Sequence, residues 1–194
     1  MKKGDATRAR ILEEAAKQAS LRGLAAVSLN DVAEAIGLSK SGLFKHFQAK
    51  EAMQQAVLEA TIDRVKEAVW VHALAKPPGR ERLDELFQRF MDWDEFECGE
   101  YGCLVSSSTV EFDDQPGPIR DLLHQSQHRM FNAITRAITE LRDPPLDDEL
   151  ARQLAFELRA YVMAFTNLRR IMPPGEARRR AWTAYRDLIA RIEA

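Results

Sequence analysis

Between Val32 and Phe47 the chain reads VAEAIGLSKSGLFKHF, and little but a pair of short helices accommodates it. Val32, Ala33 and Ile36 share one face of a helix that Gly37 interrupts. Ser28, with Asp31 three residues on, opens that helix in the manner of a capping box. Leu38 falls in the turn as a core plug. Ser39 then caps a second short helix that turns Lys40, Ser41 and Lys45 outward and ends at His46-Phe47. Leu43 and Phe47, four apart, face the core. Two short helices about a glycine turn, the second small, polar and basic, have the form of a helix-turn-helix whose second helix fits the DNA major groove.

The flanking sequence supplies helices to brace such a unit. Ile11, Ala15 and Ala19 make an apolar stripe over residues 5–22, with Asp5 as N-cap and Arg22-Gly23 as a basic last turn and stop. Lys50-Glu51 opens a fourth helix that runs through Val57, Leu58, Ile62, Val65 and Val69 to Leu74, before Lys76-Pro77-Pro78-Gly79 breaks it. Amphipathic helices follow over 80–93, 119–141, 147–171 and 176–193, with a small-residue helix over 104–110. No strand pattern competes. The expectation is an all-α chain of about nine helices: a three-helix helix-turn-helix domain over residues 1–50 and a larger helical domain over 51–194.

Charge divides the same way. The first 50 residues carry nine Lys/Arg against five Asp/Glu, and the remainder nineteen against twenty-five. A basic head on an acidic body suits phosphate binding by the head alone. No apolar run approaches the roughly 18 residues that span a bilayer, and MKKGDATRAR lacks the apolar core of a signal peptide. Two cysteines are too few for a disulfide framework, so the expected setting is a reducing cytoplasm with no membrane partner.

Residues 6–60 resemble the DNA-binding domain of the tetracycline-repressor (TetR) family of bacterial transcription regulators. The matching elements are Thr7-Arg8 with Ile11-Leu12, Gly23, Val32-Ala33, Gly37-Leu38-Ser39, Leu43-Phe44, His46-Phe47 and Lys50-Glu51. The resemblance implies a homodimer on a near-palindromic double-stranded operator, released by a small apolar effector, with no cofactor. For phosphate the candidates are Lys50, at a helix start whose N–H groups favour an anion, then Thr7, Ser28, Lys45 and His46. For bases they are Lys40, Ser39, Ser41, Gly42 and Asn30. Capping alone equally accounts for Ser28 and Ser39. Three positions depart from the family pattern. Phe44 stands where Tyr is common, leaving only apolar contact. Ala49 stands where Ser or Asn caps the fourth helix, and Gly42 where Thr is frequent.

In the body, Phe87, Phe90, Trp93, Cys103, Leu104, Ser107, Phe112, Met130, Phe131 and Phe165 are candidates to line an effector cavity, or to form an ordinary core. The last two helices, through Leu150, Leu154, Leu158, Tyr161, Val162, Phe165, Trp182, Tyr185 and Ile189, either pack inward or, as the resemblance implies, pair with their copies as a four-helix bundle. Cys98 and Cys103 read as packed thiols before oxidant sensors. His124 and His128 share a helix face, but a metal would need a third ligand such as Glu111, so no metal site is assigned. No nucleophile with a placed base and no phosphate loop appears, which argues against an enzyme. The competing functions are a DNA-binding protein without an effector and a helical small-molecule binder with no DNA role.

Overall fold

The structure, a computed structural model, describes residues 3–193. These form nine helices: α1 (Lys3–Arg22), α2 (Leu29–Ala35), α3 (Lys40–Phe44), α4 (Lys50–Val65), α5 (Arg80–Asp92), α6 (Leu104–Glu111), α7 (Pro118–Thr139), α8 (Asp148–Leu168) and α9 (Glu176–Glu193). A π-helical stretch, Lys66–Val71, and a last turn, His72–Leu74, prolong α4. A second π-helical stretch, Trp93–Glu97, prolongs α5, and a 3₁₀ turn, Gly99–Tyr101, occupies the expected loop. No strand occurs among the described residues.

Contacts gather the chain into two compact units. The first holds the described residues up to Arg64 together with Cys103–Ser126. Its core joins Ile11, Ala15 and Ala19 of α1, Val32 and Ala33 of α2, Leu43, Phe47, and Met53, Val57 and Leu58 of α4. Leu104, Val105 and Phe112 of α6, with Ile119 and Leu123 of α7, belong to the same core. The sequence boundary at residue 50 therefore falls at the first residue of α4, inside this unit. α1 begins at Lys3, so Asp5 lies in its first turn and not at the N-cap.

The second unit holds Val65–Gly102 and the described residues from Gln127 on. At its centre Phe87 and Tyr185 stack at 4.3 Å between ring centroids, and Trp182 meets both edge-on at 5.1 and 5.4 Å. The Tyr185 hydroxyl donates to Asp84, which Arg80 pairs at 2.7 Å. Burial, then the hydrogen bond to Asp84, push the Tyr185 phenol far above its ordinary value. Arg169 pairs with Asp94, and Arg178 with both Asp92 and Glu95, tying the end of α5 and its π-helical extension to α9 and the end of α8.

This packing corrects the expected use of the last two helices. Leu154, Leu158, Val162, Phe165, Tyr185 and Ile189 are buried within their own chain. Tyr161 and Trp182 are half-buried, and only Leu150 of the nine is exposed. Besides Leu150, α8 leaves two other large apolar side chains uncovered: Phe156 is 64% exposed and Met163 40%.

Candidate nucleic-acid interface

The reading helix is built by local rules. Ser28 caps α2 by accepting from the Asp31 N–H at 3.2 Å. A hydrogen bond from Ser28, then the Arg22 guanidinium 2.8 Å away, hold the Asp31 carboxyl below its ordinary range. Gly37, at φ +67°, makes the turn, and the Leu38 N–H donates to the Ala33 carbonyl at 2.8 Å while its side chain packs on the core. Arg10 steadies the turn by donating to the Ile36 carbonyl. Ser39 caps α3 by accepting from the Gly42 N–H at 3.1 Å, and its hydroxyl also meets that of Ser41.

α3 has five residues and ends at Phe44, shorter than the expected run to Phe47. Leu43 and Phe47 are buried; Ser39, Lys40, Ser41, Phe44 and Lys45 are exposed together. Asn30 is exposed on the first turn of α2, whereas Thr7 and His46 are half-buried. Gly42 does not face outward as a base-reading position. A Cβ there would lie 3.1 Å from Leu38 Cγ and from Ser39 Oγ, so the glycine keeps the turn tight.

Lys50 has a structural partner that its sequence position did not reveal. Its ammonium donates to the Ala25 carbonyl in the α1–α2 turn. Gln54 donates to the neighbouring Leu24 carbonyl at 2.7 Å. The other side of that turn is held by Glu111, at the end of α6, whose carboxylate accepts from the Leu24 and Ala25 N–H groups at 2.8 and 2.9 Å. Three side chains from two helices thus satisfy both peptide edges of one short turn. Glu111 has its ligands in the backbone and is not a third ligand for His124 and His128, which stand exposed on α7. No group of three metal-binding side chains occurs among the described residues. Cys98 and Cys103 are both half-buried and are not joined in a disulfide.

The candidate cavity residues divide between the two units. Cys103, Leu104, Ser107 and Phe112 belong to the first unit, where Leu104 and Phe112 are core and Ser107 is exposed. In the second unit Phe87 and Phe165 are buried, Met130 and Phe131 half-buried, and Phe90 meets Trp70 edge-on at 5.8 Å. Trp93 alone of the ten lines either of two cavities in that unit. It borders one of about 350 Å³ with His72, Arg89 and Phe96. The other, about 430 Å³, lies against Trp70, Leu86 and α7. No helix among the described residues is long and apolar enough to cross a membrane.

Comparison with known proteins accounts for both units. The model described as bacterial regulatory proteins, tetR family, matches residues 11–57. The model of the tetracyclin repressor-like C-terminal domain matches residues 79–185. The HTH-type transcriptional activator FasR of Mycolicibacterium smegmatis is 24% identical over 154 residues, covering 79% of this chain and 68% of FasR. A TetR-family transcriptional regulator from Streptomyces coelicolor superposes with a TM-score of 0.85 at 14% identity, over 96% of each chain. AibR, solved with isovaleryl coenzyme A and operator DNA, superposes with a TM-score of 0.69 at 19% identity, over 91% of this chain and 94% of AibR.

Proposed function

Because this chain belongs to the TetR family of bacterial transcriptional regulators, we propose that it is a homodimeric repressor, released from a near-palindromic operator by a small, largely apolar ligand. The observation that carries DNA reading is the exposed row Lys40, Ser41, Phe44 and Lys45 on a helix whose Leu43 is fully buried. A helix anchored on its inner side and polar on its outer side can enter a major groove without unfolding. Lys40 can donate to guanine N7 and O6, with Ser39, Ser41 and Asn30 beside it. Lys45, His46, Thr7 and Ser28 are placed for the phosphates.

Two-fold pairing of subunits would present two such helices to the two halves of a palindrome. A ligand lowers operator affinity only if it binds the DNA-free arrangement more tightly than the DNA-bound one. AibR, solved with isovaleryl coenzyme A and operator DNA, supports a regulator that takes both a small ligand and an operator. The dense stacking of Phe87, Trp182 and Tyr185 favours the competing reading, a DNA-binding protein without an effector. The open volume beside Trp70 favours a ligand. FasR is named as an activator, so the sign of regulation here needs a reporter gene to measure it.

Selection of bound sequences from random duplex DNA, repeated with candidate ligands, tests the reading. An enriched palindrome is expected; recovery of unenriched sequence contradicts it. Within a selected operator, Lys50→Ala should weaken binding to all sequences about equally and lower the slope of log affinity against log salt by roughly one. It should also lower stability, because Ala25 loses its partner. Lys40→Ala should instead relax preference at one base pair by about tenfold or more. If both variants lost affinity evenly across sequences, the assigned roles would be wrong. Phe44→Tyr should raise affinity about threefold to tenfold by restoring a phenolic donor to a phosphate, the worth of one hydrogen bond; an unchanged mobility-shift titration would place position 44 away from the backbone.

A further inference from the structure

The cavity of about 430 Å³ in the second unit joins an apolar floor to a charged rim. Its apolar floor is Trp70, Ala73, Leu74 and Leu86. Trp70 is held edge-on by Phe90, and Leu74 is left 60% exposed. On α7, Arg129, Asn132, Ala133, Arg136 and Ala137 fall at helical spacing, with Glu140 just past the helix end, and so share the face that closes the cavity. Arg82, from α5, completes the rim.

Three arginines and one carboxylate therefore border the cavity. Arg82 donates to Glu140 at 2.9 Å and to the Lys76 carbonyl at 3.0 and 3.2 Å, which fixes it in place. Glu140 is also the natural helix neighbour of Arg136, four residues on. With Glu140 engaged by Arg82, Arg136 is left without an acidic partner, and Arg129 likewise has none among the described residues. Here two unpaired guanidinium groups border an indole and an exposed leucine, in a cavity of the volume that small ligands occupy. Guanidinium forks match carboxylate, phosphate and sulfonate oxygens, and the indole and leucines match an apolar body.

We propose that this cavity is a binding site for an organic anion with an apolar body, its acidic group on Arg129 and Arg136 and its body on Trp70 and Leu74. Trp70 belongs to the π-helical stretch Lys66–Val71, and such stretches inside α-helices are frequent at functional sites. α4, which this stretch prolongs, and α7 are also the two helices whose earlier residues belong to the DNA-reading unit. Calling the anion an effector rests on the regulatory reading above; binding itself does not.

The test uses two dyes with one skeleton, anionic 8-anilinonaphthalene-1-sulfonate and neutral N-phenyl-1-naphthylamine, titrated by fluorescence into the full chain. Arg129 and Arg136 are exposed, so R129E/R136E should fold as wild type. It should weaken sulfonate binding by about tenfold or more, the loss of charged hydrogen bonds, and change neutral-dye binding less than about twofold. K17E/R142E carries the same change in net charge at other exposed positions and should leave both dyes unaffected. Unchanged sulfonate affinity in R129E/R136E, or an equal loss in K17E/R142E, overturns the proposal. Operator affinity is measured separately with and without the sulfonate dye. Binding without any change in operator affinity overturns the effector role and leaves the site. Absence of DNA binding in either condition overturns the regulatory reading and leaves the dye result standing.

Discussion

The Phe156→Asp protein is expected to sediment as a monomer and to bind operator at least about a hundredfold more weakly than wild type. α8 has two apolar faces. One carries Leu154, Leu158, Val162 and Phe165 into the core of its own unit. The other presents Phe156 and Met163, seven residues apart and hence on one side of the helix, with the exposed Ala160 between them. In the proposed homodimer this face, with a phenyl ring 64% exposed on a long regular helix, is the candidate contact, and aromatics dominate such contacts. Aspartate there removes the apolar area and places a charge where pairing would desolvate it. The isolated subunit should be indifferent, because the side chain has little intramolecular packing to lose. Operator affinity falls because the second reading helix no longer binds intramolecularly; linked binding of this kind contributes about 10²–10⁴ in affinity. Sedimentation and mobility-shift titration on the same preparation decide the matter. A variant that stays dimeric removes Phe156 from the interface; a monomer that keeps its operator affinity removes pairing from operator binding. Leu158→Asp is not an equivalent test, since Leu158 is fully buried and the charge would unfold the chain.

The contrast between Phe156 and Leu158 also shows what the sequence conveyed. Short-range features were readable. Ser28, Gly37 and Ser39 act on residues two to four positions away, so their types alone announce α2, the turn and α3. The proline-glycine breaks after Leu74 and Leu168 set helix limits for the same reason. The side of α8 that meets its own chain was not readable, because a stripe of leucines and aromatics looks alike whether it packs on α9 or on another subunit. By type Phe87 suits a pocket or a core equally, and only the nearness of Tyr185, 98 positions on, packs it into the core. Arg129 and Arg136 lie on one helix face by spacing, but Trp70 and Arg82 reach them only through tertiary packing. Lys50 was picked out as a cation at a helix start; that its ammonium would meet a carbonyl 25 residues earlier has no local signal.

Glu111 is the furthest such case, and its removal should be the largest single loss of stability outside the core. Its two carboxylate oxygens accept from Leu24 and Ala25, 87 and 86 residues earlier. Gly23 is fitted to this contact twice over. Its φ of +89° is one that side chains rarely adopt, and a Cβ there would stand 2.8 Å from Glu111 Oε1. Hydrogen bonds to an ionised acceptor contribute about 1.5–3 kcal/mol each. In the part-buried setting here water can replace some of that, so Glu111→Ala should cost about 3 kcal/mol in all. For a chain of this size that is a fall in melting temperature of about 6–12 °C. Glu111→Gln keeps the shape and one acceptor oxygen, and should fall between Ala and wild type. The turn that Glu111 holds is the one that Lys50 and Gln54 hold from its carbonyl side, so Glu111→Ala and Lys50→Ala should be non-additive, as shared partners require. The same turn sets the entry of α2 and therefore the seat of α3, so operator affinity should fall with stability in the order wild type, Gln, Ala. A Glu111→Ala protein that melts like wild type would mean that water serves those two N–H groups as well as the carboxylate does. Additive losses in the double variant would mean that the two sides of the turn are held independently.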